Sequence, residues 1–363
     1  MSNIKAYAFY LPQFHPVPEN DQWWGKGFTE WTNVGKARPL FGNHYQPRVP
    51  SELGYYDLRV SETREAQAQL AKEYGIDGFC YWHYWFGNGK RLLERPFNEV
   101  VSSGAPDFPF FLAWANESWK GFPHGLKNRN TLIEQTYPGI DDFQNHFYAL
   151  LTAFKDPRYV KIDGKLAFVI YKPLADPSIK DFMRTWRELA EKNGIGDFFF
   201  IGHINEFNIH PKNLFEIGFD AVNTVRLNDF SLHMNSFGFR LKKFFERKFL
   251  NAPRNYEFSK VMKYFVNKDV DGDENVYPSI ITGWDHTPRS GKDGLVLKNF
   301  NPDTFSSHIK STLDIVSKKN TPIVFVKSWN EWAEGNYLEP DLKFGRSLLE
   351  TFKNLKDSYA NED

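Results

Sequence analysis

Eight short apolar or β-branched runs recur along the chain: Lys5 to Tyr10, Ile76 to Tyr81, Phe108 to Trp114, Leu166 to Tyr171, Phe198 to His203, Phe219 to Val225, Pro278 to Thr282 and Ile323 to Ser328. They are near-continuous rather than alternating, as expected of strands covered on both faces. Amphipathic segments lie between them. Ser61 to Tyr74 carries Ala66, Leu70 and Ala71 at helical spacing, and Ile179 to Asn193 is ended by Gly194. Strands of this kind alternating with helices predict an α/β fold, a parallel (β/α)8 TIM barrel forming a single catalytic domain over residues 1–363. A doubly wound open sheet is the alternative, but no glycine-rich dinucleotide turn follows the first run.

Two connections exceed simple βα loops. One covers residues 11–58 and is rich in Pro, Gly, Trp and Asn; the other covers 227–277 and includes the basic stretch Arg240 to Phe249. Loops of this length on compact domains are usually lids or insertions. There is no tandem repeat, and fraying is expected only at Tyr359 to Asp363.

Charge and composition narrow the partner. Lys+Arg and Asp+Glu number 45 each, so neither a nucleic-acid backbone nor an anionic membrane surface is favoured, and a neutral ligand fits better. Cys80 is the sole cysteine, which excludes an intrachain disulfide framework. Met1 to Lys5 lacks the basic flank and apolar core of a signal peptide, and no apolar run is long enough to span a bilayer; the expected location is cytoplasmic. Aromatic residues make up 17 % of the chain, more than packing alone is expected to use, so part of them should line a site.

On a barrel of this type the site lies at the carboxyl ends of the strands. Seven of the eight ends carry aromatic, amide, imidazole or carboxylate groups: Gln13 and His15; His83 and Tyr84; Trp114, Asn116 and Glu117; Tyr171; His203 and Asn205; Trp284 and Asp285; and the last cluster, Trp329, Asn330, Glu331, Trp332 and Glu334. Indole and phenol faces beside amides and carboxylates suit a sugar, whose C–H faces pack on rings while its hydroxyls take directional hydrogen bonds. Each aromatic taken singly could equally plug the barrel end.

Glu331 and Glu334, at i and i+3, follow the eighth run directly. Glycosidic cleavage needs one carboxylic acid at the leaving oxygen and one carboxylate on the sugar side, and a tryptophan-lined pocket would drive the two pKa values apart. The close spacing favours a retaining outcome. The bland alternative is one glutamate capping a helix and the other paired with Lys343 or Arg346. Asn-Glu recurs at 116–117 and 205–206, which makes Glu117 a competing candidate; Glu117 and Glu206 are read as sugar-hydroxyl ligands at most.

These residues carry a family resemblance. "YLPQFHPVPENDQWWGKGFTEWTNV", "GYYDLR", "GIDGFCYWHYWF", "AWANESW", "GWDHTPR" and "SWNEWAEGNYLEPD" resemble the WbsX-type polysaccharide biosynthesis proteins, a branch similar to glycoside hydrolase family 99, the endo-α-mannosidases. The resemblance implies a (β/α)8 barrel. It also implies that Glu331 deprotonates the sugar 2-hydroxyl, which attacks the anomeric carbon to give a 1,2-anhydro sugar, while Glu334 serves as acid and then base. Where the mannosidases usually have His, this chain has Ala333, so mannose specificity does not carry over.

Other motifs weigh less. Asp269 to Asn275 contains Asp271-Gly272-Asp273, formally a DxD, but Glu274 stands where an EF-hand needs Gly. His15, His83, His203 and His286 follow different strands and do not form a close zinc-ligand pair. In the first long loop Trp23, Trp24, Glu30 and Trp31 are candidates for a cleft wall or a satellite core, and Trp24 is counted with the sugar-binding set. The expectation is a cofactor-free, metal-free glycan-processing enzyme, a retaining glycoside hydrolase acting on a bacterial surface-type oligosaccharide or polysaccharide. The alternatives are a glycosyltransferase of lipopolysaccharide, capsule or O-antigen biosynthesis, and a non-catalytic carbohydrate-binding barrel.

Overall fold

The computed structural model describes residues 4–121, 125–126, 129–234 and 252–361; the basic stretch from 240 to 249 lies outside them. All eight apolar runs form strands: β1 (Lys5–Tyr10), β2 (Gly78–Trp85), β3 (Phe110–Trp114), β4 (Lys165–Ile170), β5 (Phe198–Ile204), β6 (Ala221–Thr224), β7 (Val276–Ile281) and β8 (Ile323–Lys327). They pair in parallel in the order β1-β8-β7-β6-β5-β4-β3-β2, and a β1–β2 pairing closes the circle. The seam is in register from Lys5↔Ile323 to Ala8↔Val326. This is the closed (β/α)8 barrel the hydrophobic runs predicted.

The surrounding helices begin and end where local chemistry demands. Ile179–Lys192 gives way to Gly194 at φ +68°, a left-handed position where glycine costs nothing. Pro302–Val316 has Pro at its first turn and a reciprocal cap, in which the Asn301 side chain accepts from Thr304 N at 3.0 Å and Thr304 Oγ1 accepts from Asn301 N at 3.1 Å.

Aromatic residues build both cores. Inside the barrel, Tyr7 meets Phe111 edge-on at 5.1 Å, and Phe9 stacks on Trp82 at 4.7 Å and Phe325 at 5.3 Å. Outside, Trp186 of the helix Ile179–Lys192 packs on Phe168 and Phe198 at 4.7 and 5.2 Å. Much of the aromatic excess is therefore packing, because ring pairs supply large buried area in preferred geometries.

The two long connections fold over the carboxyl-end face. The first carries the helices Pro18–Trp24 and Glu30–Lys36; the second contributes Arg254–Glu257, which pairs in parallel with Leu295–Lys298 after β7. The first loop is pinned by buried polar contacts. Trp31 Nε1 donates to Tyr56 O at 2.7 Å, and Arg48 Nη1 donates to Gly335 O at 3.1 Å. Trp31 also packs on Phe14, Tyr56 and Trp332, so this part of the loop forms a satellite core rather than an open wall. Asp271 of the acidic stretch is buried and bound to Arg226 and Thr224. No helix among the described residues is long and apolar enough to cross a membrane.

Candidate active site

At the carboxyl end of the strands lies a hollow of about 310 Å³. Its floor and walls come from β2 (Trp82, Tyr84), the turn after β3 (Ala115, Glu117, Trp119), Tyr171, His203, Asn205, Val225 at the end of β6, Trp284, Arg289, Lys327, Glu331 and Glu334, with Leu11 and Gln13 from the first loop and Leu227 and Asn228 from the second.

The sequence after β8 explains how both carboxyls reach it. A cis peptide bond joins Lys327 to Ser328. Trp329 N then donates to Phe9 O at 2.8 Å, and the Asn330 amide clasps Leu11, accepting from its N–H at 2.7 Å and donating to its carbonyl at 3.1 Å. Asn330–Glu331 pairs antiparallel with Asn336–Tyr337, and the 3-10 turn Trp332–Glu334 closes the hairpin. Gly335 ends the turn at φ +60°. A Cβ there would sit 2.7 Å from Asp285 Cβ and 2.9 Å from the Arg48 guanidinium carbon. Behind the turn, Glu339 accepts from Trp332 Nε1 and Gln67 Nε2 at 2.6 Å and from Tyr56 OH at 2.8 Å. Burial lifts its carboxyl to about 7 against the pull of those donors.

Each member of the carboxyl pair has its own cation. Glu331 accepts from Lys327 Nζ at 2.8 Å on both oxygens, from Trp82 Nε1 at 2.8 Å and from Ser328 Oγ at 3.0 Å. Glu334 is ion-paired to Arg289, which also reaches Glu30 at 3.0 Å. Burial pushes the Glu331 carboxyl above the ordinary range despite Lys327, and the negative Glu334 adds to the push. Burial acts the same way on Glu334, but Arg289 and then Lys327 outweigh it, and Glu334 lies below the ordinary range. The two carboxyls also act on each other, and together with their separate cations this drives their proton affinities apart, Glu331 upward and Glu334 downward. Neither glutamate pairs with Lys343 or Arg346; Arg346 binds Glu52 and Glu73.

The other walls are polar and aromatic. Lys327 Nζ lies 5.7 Å from the Trp82 ring centre and 6.0 Å from that of Trp284. His203 donates its Nδ1–H to Asn223 Oδ1 at 2.7 Å, and burial, followed by Lys327, pushes it down to about 3, so it is neutral. The Tyr171 hydroxyl accepts from Asn205 Nδ2 at 2.9 Å. Glu117 stands outside the ion pairs, and burial raises its carboxyl against the pull of Lys172.

Of the residues expected around a sugar, Gln13, Tyr84, Glu117, Tyr171, His203, Asn205 and Trp284 line the hollow with Glu331 and Glu334. The others lie behind it, for definable reasons. β2 runs on to Trp85, so its side chains alternate: Trp82 and Tyr84 face the hollow, while His83 faces the helices and pairs with His146 Nε2 at 2.8 Å. Trp114, still within β3, donates to Trp85 O and packs on Phe182. Asn116 locks two loops by accepting from Lys172 N at 2.7 Å and donating to its carbonyl at 2.9 Å. Asp285 accepts from His44, Gln46 and Thr287, which anchors the first loop. His15 turns to Pro12 O, and Trp24 stacks on Phe28. Trp329 packs on Phe79, while Asn330 and Trp332 brace the hairpin.

Sequence reasoning passed over Trp82, Trp119, Arg289 and Lys327. Trp82 was within reach of the period-two rule, since it shares a face with Tyr84. Lys327 was findable as the cation four residues before Glu331. Among the described residues no group of three or more His, Cys, Asp or Glu is placed to hold a metal ion.

Comparison with known proteins agrees with this architecture. Two WxcX proteins of Xanthomonas campestris pv. campestris are 34 % and 35 % identical over 366 residues, covering 94 % of this chain. The chain spans only 48 % of their length. Among solved structures, a glycoside hydrolase-like protein superposes with a TM-score of 0.59 at 14 % identity, covering 99 % of this chain and 94 % of that one. The GH99 endo-α-mannosidase of Bacteroides thetaiotaomicron gives 0.58 at 14 % identity, covering 99 % and 98 %. These likenesses establish the fold. A family model described as Glycosyltransferase WbsX matches residues 6–352, nearly the whole barrel, and the chain belongs to the WbsX family.

Proposed function

We propose that the protein is a glycan-processing enzyme, a retaining glycoside hydrolase acting on a bacterial surface-type polysaccharide. The observation that carries this reading is the pair Glu331 and Glu334, which line one indole- and phenol-walled hollow together. Trp82, Trp284 and Tyr171 offer ring faces to a sugar; Gln13, Asn205, His203 and Glu117 offer hydrogen bonds to its hydroxyls.

In the reaction, ionised Glu331 takes the proton of the 2-hydroxyl, the resulting oxygen bonds to the anomeric carbon, and the glycosidic bond breaks as Glu334 protonates the leaving oxygen. Glu334 then takes a proton from water, whose oxygen attacks the anomeric carbon and opens the 1,2-anhydro ring, while Glu331 returns its proton to O2. Two inversions retain configuration. The pair holds one proton throughout: on Glu334 at the start, on Glu331 after the first step. In the empty site Glu334, paired with Arg289, is the ionised member that the water step needs, and the first step requires it to take up a proton. Trp82, Lys327 and Ser328 hold the Glu331 carboxylate in place for both.

A second reading, transfer of a sugar to a glycan acceptor, is favoured by the description the family bears. Incubation with a panel of polysaccharides and nucleotide sugars, followed by mass spectrometry, separates the two. Release of oligosaccharide by water, lost in Glu334→Gln, is the expected outcome. Product formed only when a nucleotide sugar is present would replace hydrolysis by transfer, and turnover unaffected by the substitution would remove Glu334 from the chemistry.

A further inference from the structure

The positive groups around the carboxyl pair divide between its members. Lys327 is four residues before Glu331 on the same strand end and binds both of its oxygens. Arg289 comes from the loop after β7 and is shared: Nη1 binds Glu334, while Nε and Nη2 reach Glu30 at 3.2 and 3.0 Å. Its side chain is 8 % exposed and that of Glu30 is 3 % exposed, so water does little to screen either contact. Glu30 is itself fixed, with its N–H donating to Gln13 O at 3.0 Å and its carboxylate accepting from Asn33 Nδ2 at 3.3 Å. The guanidinium thus spans two carboxylates, one anchored outside the hollow and one inside it.

The charged and titratable groups that face Glu334 come from every neighbouring element: Arg289 after β7, Lys327 at the end of β8, Glu331 in the hairpin after it, Glu30 in the first loop, Glu117 after β3 and Tyr171 after β4. Arg289 makes the direct ion pair. Its balance between Glu30 and Glu334 is the adjustable part of the arrangement, since Lys327 already engages both oxygens of Glu331.

We propose that Arg289 is a positioning residue for Glu334: in the empty site its ion pair keeps Glu334 ionised, and it must yield Glu334 and rest on Glu30 alone before Glu334 can serve as donor. The inference rests on the acid/base roles proposed above for Glu331 and Glu334. In the step Glu334 takes up one proton from solvent in place of the ion pair that Arg289 withdraws, while Glu331, held by Lys327, Trp82 and Ser328, is the carboxylate that the sugar 2-hydroxyl requires. Glu30 supplies the second seat that lets the guanidinium withdraw without becoming a buried, unpaired charge, which would be costly.

The test needs no substrate. Glutamate carboxyl carbons labelled with ¹³C are followed by NMR against pH in the full chain, with Glu331 and Glu334 assigned from Glu331→Gln and Glu334→Gln. In the wild type Glu334 ionises at lower pH than Glu331. Arg289→Gln raises the Glu334 midpoint by about one pH unit or more, the usual effect of losing an adjacent opposite charge, and Arg289→Lys raises it less. Glu30→Gln moves it the other way, downward, because Arg289 then has no competing carboxylate. A merely structural part for Arg289 would not give opposite signs in the two variants. Thermal unfolding and circular dichroism confirm the fold of each; if Arg289→Gln does not fold, Arg289→Lys and Glu30→Gln decide the matter. A Glu334 midpoint within about a third of a unit of wild type in a folded Arg289 variant, or an upward shift in Glu30→Gln, overturns the proposal. Failure to process any glycan would refute the proposed reaction but would leave these midpoints unchanged.

Discussion

Replacing Lys327 by Met removes one charge from the hollow and almost no volume, because the unbranched methionine side chain follows the lysine stem between the Trp82 and Trp284 rings. It leaves Glu331, whose side chain is 5 % exposed, without its cation. Two escapes are open to the carboxyl. Staying ionised and unpaired costs about 3–5 kcal/mol. Taking a proton costs about 1.4 kcal/mol for each pH unit above the unfolded value near 4.3, hence about 1 kcal/mol at pH 5 and about 5 at pH 8. The sign follows from a folded pKa raised above the unfolded one: stability is intact below the unfolded value and is lost as pH rises toward the folded one. The variant should therefore lose about 1 kcal/mol at pH 5 and 3–5 kcal/mol at pH 8, these being upper limits because Glu331 is already raised in the wild type. At roughly 2 °C per kcal/mol for a domain of this size, the deficit in Tm is about 2 °C at pH 5 and 6–10 °C at pH 8. Differential scanning calorimetry of both proteins at the two pH values measures it. Equal deficits at pH 5 and pH 8, or none at pH 8, would show that Lys327 does not neutralise Glu331.

Gly335→Ala puts a methyl group 2.7 Å from Asp285 Cβ at a left-handed φ, and should cost at least about 2 kcal/mol in urea unfolding; a loss below about 0.5 kcal/mol would mean the turn relaxes freely. Glu339, raised to about 7, makes wild-type stability fall by up to about 3 kcal/mol as pH rises from its unfolded pKa to 7. Glu339→Gln should flatten that slope between pH 5 and 8, and an unchanged slope would locate the titration elsewhere.

The barrel was legible because each strand is buried on both faces, which forces a near-continuous apolar run that nothing else in the chain imitates. Strand ends were harder. Reading β2 as finished at Tyr81 puts His83 and Tyr84 together in a loop, whereas the strand continues to Trp85 and alternation sends the imidazole to the helices and the phenol to the hollow. The same rule sends Trp114 outward. Asn116, Asp285 and Asn330 are polar, buried and at strand ends, which is what a sugar ligand looks like in one dimension. In three dimensions each satisfies backbone or loop partners, because long irregular loops folded over a barrel need buried polar groups to hold them. Arg289 was missed for the opposite reason. Its importance comes from two acids, at positions 30 and 334, that no local window brings together.

Where the barrel closes has a consequence for synthesis. β8 enters between β1 and β7, and it brings Lys327 and both carboxyls with it. A nascent chain released short of that strand would have a twisted, open ribbon with two bare edges exposed to other chains, and a cup with rings and amides but without its carboxyl pair. Truncated products of this gene would therefore be prone to stick together and would lack both acids at the mouth of the cup.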